Sequence, residues 1–219
     1  MTGPPPKADF DPIGRPYRWL EYLTLGHALE RCRNHFLPTL SDRRCAIVLG
    51  DGDGRFLSRL LAANRQLRAD AVDTSAVMLQ LLTHRAGESA ARIRTHHVDA
   101  LRFMPSCTYD LIVTHFVVDC LTQSDLNTLA LSMARHAAPD ALWLLSDFRI
   151  PSGPMHWSAR ILVRLLYFAF RLITGLRTTA LPDHAAALSA AGFTLTASHH
   201  SMSGILTSEI WTLSRIRRA

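Results

Sequence analysis

Three glycines and two acids share one short string, Val48-Leu49-Gly50-Asp51-Gly52-Asp53-Gly54-Arg55-Phe56. Glycines at alternate positions let the chain turn tightly, and let a ligand lie against the backbone with no Cβ in the way. A further acid stands at Asp73, 19 residues after Gly54. A carboxylate so placed can accept hydrogen bonds from both hydroxyls of a ribose. Dinucleotide-binding loops use a similar pattern, so the glycines alone do not choose a ligand. The loop acids do discriminate. A pyrophosphate at a helix N-terminus is repelled by negative side chains. Asp51 and Asp53 suit a cationic ligand instead. Without any ligand, the string reads as a tight turn with Asp53 as a helix N-cap.

Further along, Asp73-Thr74-Ser75 followed by Met78 sets a helix start beside the ribose acid. His97-Val98-Asp99-Ala100 carries another carboxylate, which can accept an exocyclic amino group while Ala100 supplies a backbone contact. Asp99 as the N-cap of the next turn is the alternative. His115 and Asp119 come after a long apolar run and are the candidate catalytic pair. Histidine titrates near neutrality, which favours His115 as a base. Otherwise His115 packs against a ligand and Asp119 caps a turn. Four cysteines, Cys32, Cys45, Cys107 and Cys120, show neither CxxC nor zinc-ligand spacing, so they are expected as buried thiols in a reducing compartment, with no metal bound.

The elements that must hold these residues alternate. Short apolar strands are expected at Cys45–Leu49, Ala69–Val72, Ile93–Val98, Tyr109–Thr114 and Ala141–Leu145. Helices are expected at Arg55–Asn64, Ser75–Arg85 and Gln123–Ala137, the last stopped by Pro139. Apolar strands separated by helices imply βαβ units and a parallel sheet covered on both faces. The tail adds a helix over Pro182–Ala191 and two strands, Phe193–His199 and Leu206–Ser214, joined as an antiparallel hairpin. The fold class is therefore α/β: a Rossmann-like, seven-stranded, mostly parallel sheet closed by a hairpin, with helices on both faces. Residues 1–16 form a Pro-rich arm, and 17–219 form one domain. Within it, 17–40 and 151–180 are expected as helical cover. Trp157, Ile161, Leu165, Phe168 and Leu172 fall on one helical face and Arg160, Arg164, Tyr167 and Arg171 on another. That segment reads as a helix packed on the sheet, as a lid over an acceptor, or as a basic amphipathic helix (157–174) on an anionic membrane.

On these residues the chain resembles the class I S-adenosylmethionine-dependent methyltransferase superfamily, over about Cys45 to Ser146. The strings Gly50 to Phe56, His115-Phe116-Val117-Val118-Asp119-Cys120-Leu121-Thr122 and Ser146-Asp147-Phe148 resemble a bacterial subgroup of it. The resemblance implies S-adenosylmethionine as cofactor and S-adenosylhomocysteine as product. It implies a cofactor site at Gly50, Gly52, Gly54, Asp73, Asp99 and around His115, with Asp51, Asp53, Thr74, Met78 and Ala100 beside them. One position departs. The family carries an acid two residues before the first glycine, and here it is Val48. Asp51 or Asp53 is the substitute.

Composition sets the outer limits. The 219 residues are 48% hydrophobic, enough for one core and too few for two catalytic domains. Net charge is +6, carried by arginine, with Lys7 the only lysine. A basic surface permits acidic partners without selecting one. The start is polar and Pro-rich, unlike a secretory signal, and no apolar run reaches the ~20 residues of a membrane span, so the cytoplasm is expected. Many large apolar residues in the cover point to a small acceptor with aromatic or aliphatic bulk. The competing functions are a nucleic-acid methyltransferase, a catalytically silent binding or scaffold protein, and an NAD-dependent oxidoreductase. Against the first stands the lack of an Asn/Asp-Pro-Pro-aromatic or Pro-Cys motif and of an RNA-binding module.

Overall fold

A computed structural model of the chain describes residues 27–151, 153, 156–157, 160–161 and 181–213. The expected arm over 1–16 and most of the expected cover over 151–180 lie outside the described residues, as does most of the segment 157–174. Seven strands make one sheet: β1 (Cys45–Leu49), β2 (Arg68–Asp73), β3 (Ile93–His97), β4 (Tyr109–His115), β5 (Ala137–Phe148), β6 (Phe193–Ser201) and β7 (Leu206–Leu213). Their order is β3-β2-β1-β4-β5-β7-β6. The first five run parallel, and β7 lies antiparallel to both β5 and β6.

The helices are α1 (His27–Asn34), α2 (Arg55–Ala63), α3 (Ala76–Ala86), α4 (Gln123–Arg135) and α5 (His184–Ala190). They divide by face. Phe56, Leu57, Leu60 and Leu61 of α2 and Leu79 and Leu82 of α3 pack on Ala46, Val48, Leu111, Val113 and Leu144. On the other face, Leu126, Leu129 and Met133 of α4 and Leu188 of α5 pack on Ile47, Leu49, Ile112, Trp143 and Leu145. Alternate residues of one strand thus feed two cores, which is why β1 reads as an unbroken apolar run and β4 as a nearly unbroken one.

Chain order reverses direction between β1 and β4. From β1 the chain steps outward to β2 and β3, then returns to β4 on β1's other side. In open α/β sheets, ligands bind outside the carboxyl ends of the strands at such a point. The glycine loop leaves β1 there, and His115 ends β4 beside it.

The largest boundary differences from expectation lie around Pro139. Helix α4 stops at Arg135, and β5 begins already at Ala137 and runs to Phe148. Ala137 pairs with Tyr109, but the next pair is Leu142 with Leu111. The extra β5 residues bulge out, with Asp140 at φ 60°. Pro139 lies within this bulge, where a strand tolerates a residue that has no N–H. The hairpin connection Met202–Gly204 carries three successive positive φ angles, at Met202, Ser203 and Gly204, so its single glycine marked only the last of them.

Candidate active site

The glycine loop is shaped by what approaches it. Gly50 has φ 65°, and a Cβ there would come within 2.5 Å of the Val117 side chain. Its N–H donates to the Val72 carbonyl at 2.9 Å, tying the loop to the end of β2. Gly54 has φ 78°, and a Cβ would meet the Leu82 backbone at 2.7 Å, so α2 and α3 pack closely only with glycine there. Gly52 differs, because a Cβ would meet nothing within 4 Å. Its φ of 60° still favours glycine, and its outer face is open.

The loop acids have separate tasks. Asp51 Oδ2 accepts the Leu57 N–H at 2.9 Å, which satisfies a donor in the first turn of α2. Burial pushes its carboxyl up to about 7, against the Leu57 N–H and the Arg33 charge. Asp53 Oδ2 accepts from Arg55 Nε at 3.2 Å and Arg85 Nη2 at 2.8 Å, and its carbonyl accepts from Arg85 Nε. Asp53 is therefore already paired with two arginines. It is not the N-cap of α2 either; Gly54 holds that position, with no side-chain cap.

Asp73 ends β2 and accepts the Ser75 N–H at 2.9 Å. Burial raises its carboxyl above the ordinary carboxylate range, although the N–H groups of Ser75, Thr74 and Gly52 oppose this. Ser75 then caps α3 by accepting the Met78 N–H, and the Met78 side chain is buried. Thr74 is exposed, and its carbonyl contacts His97 Nε2 at 2.9 Å. Asp99 Oδ1 accepts the Leu101 N–H at 2.8 Å and shapes the turn after β3. Ala100 packs against the core beside it.

His115 is 4% exposed, and neither ring nitrogen has a hydrogen-bond partner among the described residues. Its ring meets Phe56 edge-on, with centroids 4.4 Å apart. Burial, helped by the Arg33 charge, pushes its pKa well below the ordinary histidine value. The imidazole is thus neutral at physiological pH. Phe116 follows at φ 56°, a costly conformation for an aromatic residue of the kind that concentrates at functional sites.

Asp119 is buried in the turn Val118–Cys120, and its N–H donates to Asp147 Oδ2 at 3.1 Å. Burial raises the Asp119 carboxyl to about 6. Asp147 is pushed well above the carboxylate range by burial and then by the Asp119 charge. His115 ends β4 and Asp119 lies in the turn that follows, and they are not hydrogen-bonded to one another. The candidate catalytic pair is therefore two separate groups.

Sequence reasoning missed Arg33. Helix α1 lies over this end of the sheet, where Leu29 and Cys32 pack with Phe148, Ile205 and Leu206. Cys32 Sγ donates to the Thr207 carbonyl at 3.3 Å. An ion pair between Glu30 and Arg59 ties α1 to α2. Arg33 then stands with its guanidinium 5.0 Å from the centre of the Phe116 ring. One arginine among many carries no local signal; only the docking of α1 brings it to Asp51 and His115.

A glycine loop at the reversal point, an acid ending the next strand, and a buried imidazole are joined here on one sheet. Residues 47–143 match the family described as "Methyltransferase domain". That match covers 97 of the 219 residues and, together with the fold, supports the class I S-adenosylmethionine-dependent methyltransferase superfamily. S-adenosylmethionine is the superfamily's methyl donor and S-adenosylhomocysteine its product. Among solved structures, the N-methyltransferase NodS from Bradyrhizobium japonicum WM9 in complex with S-adenosylhomocysteine is similar, with TM-score 0.64 and 18% identity, covering 84% of this chain and 87% of that one. The mitomycin 7-O-methyltransferase MmcR matches with TM-score 0.68 and 17% identity over 94% of this chain and 61% of its own. The pyocyanin biosynthetic protein PhzM matches with TM-score 0.66 and 16% identity over 94% and 62%. The chain thus spans about three fifths of the latter two. Curated proteins give no sequence match. No described helix is long and apolar enough to cross a membrane.

Proposed function

We propose that this methyltransferase acts on a small organic acceptor with aromatic or aliphatic bulk, held beside His115 at the ends of β1 and β4 and beneath α1. The observation that carries this reading is the buried, neutral imidazole, whose ring nitrogens have no partner among the described residues. A buried polar atom without a partner costs about 1–3 kcal/mol, and such groups persist where a ligand supplies the missing bond. The apolar surroundings favour the acceptor class: Phe116 and Phe148 lie 5.2 Å apart, next to Leu29 and Ile205.

The residues present suit S-adenosylmethionine. Gly52 leaves its outer face open, and Asp73 is oriented by backbone N–H groups to accept ribose hydroxyls. Asp51 is the acid for the cationic amino-acid end, because Asp53 is paired with Arg55 and Arg85. Asp99 and Ala100 flank the adenine side. The bound cofactor supplies an electrophilic methyl group, and transfer is a single displacement. The protein aligns the acceptor and excludes water. A histidine held neutral is a weak base, so His115 orients the acceptor's polar atom by hydrogen bonding and does not retain its proton. Asp119 shapes the loop through Asp147. The cytoplasm is the proposed location, and nucleic acid is not the proposed acceptor.

The melting temperature with and without S-adenosylhomocysteine, with NAD as control, tests the cofactor side. At about 100 times the dissociation constant, a ligand of the folded state adds about 2.7 kcal/mol, a shift of several degrees. Asp73→Ala is expected to weaken that binding by about 1–3 kcal/mol, the scale of lost hydrogen bonds to a charged group. No shift in the wild type means that Val48, which is buried in the α2 core, marks a site that has lost its cofactor. The silent binding protein is then the better reading.

A further inference from the structure

At the opposite end of the sheet, Cys45 opens β1 and Cys107 precedes β4, and their Sγ atoms lie 3.7 Å apart. The two positions are 62 residues apart in sequence and meet only through the pairing of β1 with β4. All four cysteines are free thiols. A cavity of about 270 Å³, lined by Cys45, Asp70, Arg92, Arg94 and Cys107 among others, opens onto this pair. Arg94 Nη2 donates to Cys107 Sγ at 3.6 Å, and the Cys107 thiol donates to Asp70 Oδ2 at 3.8 Å. A guanidinium thus stands beside the sulfur on which negative charge would develop, and a small oxidant has a way in.

We propose that Cys45 and Cys107 form a peroxide-responsive dithiol that closes to an intramolecular disulfide. The order of steps follows from the surroundings. Burial, then the neighbouring Cys107, push the Cys45 thiol up to about 12, so it stays protonated. Cys107 attacks first. Its sulfur bonds to one oxygen of hydrogen peroxide, the O–O bond breaks, and hydroxide leaves to become water. The sulfenic acid on Cys107 is then attacked by Cys45, which gives up its proton. The S–S bond forms, the S–O bond breaks, and a second water leaves. Two thiols are oxidised and one peroxide is reduced. The bridge would pin the start of β1 to the segment before β4. That end lies roughly 17 Å from the glycine loop, at about 3.3 Å per residue along β1.

The full chain is reduced, freed of reductant and treated with hydrogen peroxide. Remaining thiols are then alkylated in denaturant and mapped by mass spectrometry. Cys45 and Cys107 are expected to lose alkylation together and to appear as one cross-linked peptide, while Cys32 and Cys120 stay alkylatable. The oxidised protein should melt several degrees higher and return to its starting value on reduction. Met104, 83% exposed, is an internal control whose sulfoxide reports that peroxide acted. In Cys45→Ser, a sulfenic acid on Cys107 should be trapped by dimedone. If Met104 is oxidised while both thiols stay alkylatable, the proposal fails. It fails equally if Cys107 runs on to sulfinic acid in the wild type or pairs only with a second molecule. The wild-type map decides the matter even if the variant does not fold.

Discussion

Both ends of the sheet bury carboxylates, and they treat them in opposite ways. At the amino end, Asp70 is 1% exposed and accepts from Arg94 Nε and Nη2, His96 Nε2 and Tyr109 OH, all within 2.6–2.9 Å. Burial pushes its carboxyl up, but Tyr109, His96 and Arg94 outweigh that and hold it below the ordinary range. At the carboxyl end, burial wins at Asp51, Asp73, Asp119 and Asp147, all of which are raised. There the imidazole of His115 lacks hydrogen-bond partners among the described residues and Phe116 carries a positive φ. One end is satisfied within the chain, which is how a group that serves stability looks. The other leaves the His115 nitrogens without partners among the described residues, as a site awaiting a ligand does.

The largest expected effect comes from breaking the satisfied end. Asp70→Asn removes the charge that Arg94, His96 and Tyr109 share. Arg94 is well exposed and rehydrates, so the full cost of an orphaned buried ion does not apply. A loss of about 2–4 kcal/mol in urea denaturation is expected, with S-adenosylhomocysteine affinity within a factor of two of wild type. A loss under about 1 kcal/mol would put Asp70 in the same class as the acids at the other end. The pH dependence has its own sign. The Asp70 carboxyl is depressed on folding, so its stabilisation is full above the ordinary carboxylate pKa and fades as pH falls through the lower folded value.

A smaller effect of opposite sign is expected at His115. His115→Leu removes two buried nitrogens that have no partner among the described residues and keeps the edge of Phe56 covered by an apolar side chain. The ligand-free protein should gain about 1 kcal/mol, or about 2–4 °C in melting temperature for a chain of this size. Methyl transfer to whichever acceptor a screen identifies should fall at least tenfold, and His115→Asn should keep more of it. A destabilised His115→Leu protein would mean that the imidazole has an internal role and is not kept for a ligand.

The two ends also differ in how far the sequence revealed them. The glycine loop, Asp73 and His115 were legible because each is local: turn glycines, an acid at a strand end, a polar residue closing an apolar run. The parallel sheet followed from alternation, and the hairpin from its spacing. The Asp70 hub was not legible. Asp70, Arg94, Cys107 and Tyr109 lie on β2, β3, the segment before β4 and β4, and only strand pairing assembles them. Arg33 escaped for the same reason. The separate tasks of Asp51 and Asp53 were also invisible, because both acids fit the same loop pattern. Arg85, on α3, decides that Asp53 is paired, whereas Asp51 accepts the Leu57 N–H.

That difference between the loop acids gives the smallest and most discriminating prediction. The Asp51 carboxyl sits at about 7 in the folded chain, above its ordinary value. Its stabilisation is therefore complete below the ordinary carboxylate pKa and is lost as pH rises through about 7. Asp51→Asn keeps an acceptor for the Leu57 N–H and cannot ionise. The wild type should lose about 1–3 kcal/mol relative to Asp51→Asn between pH 4 and 7, while Asp119 and Asp147 act alike in both proteins and cancel. A cationic ligand group beside Asp51 favours the ionised form, so binding S-adenosylhomocysteine near pH 6.5 should release a fraction of a proton. Calorimetry in buffers of different ionisation enthalpy measures that release. It should vanish in Asp51→Asn and persist in Asp53→Asn. Equal release from wild type and Asp51→Asn would take the cation away from Asp51, and the acid missing at Val48 would then have no substitute in the loop.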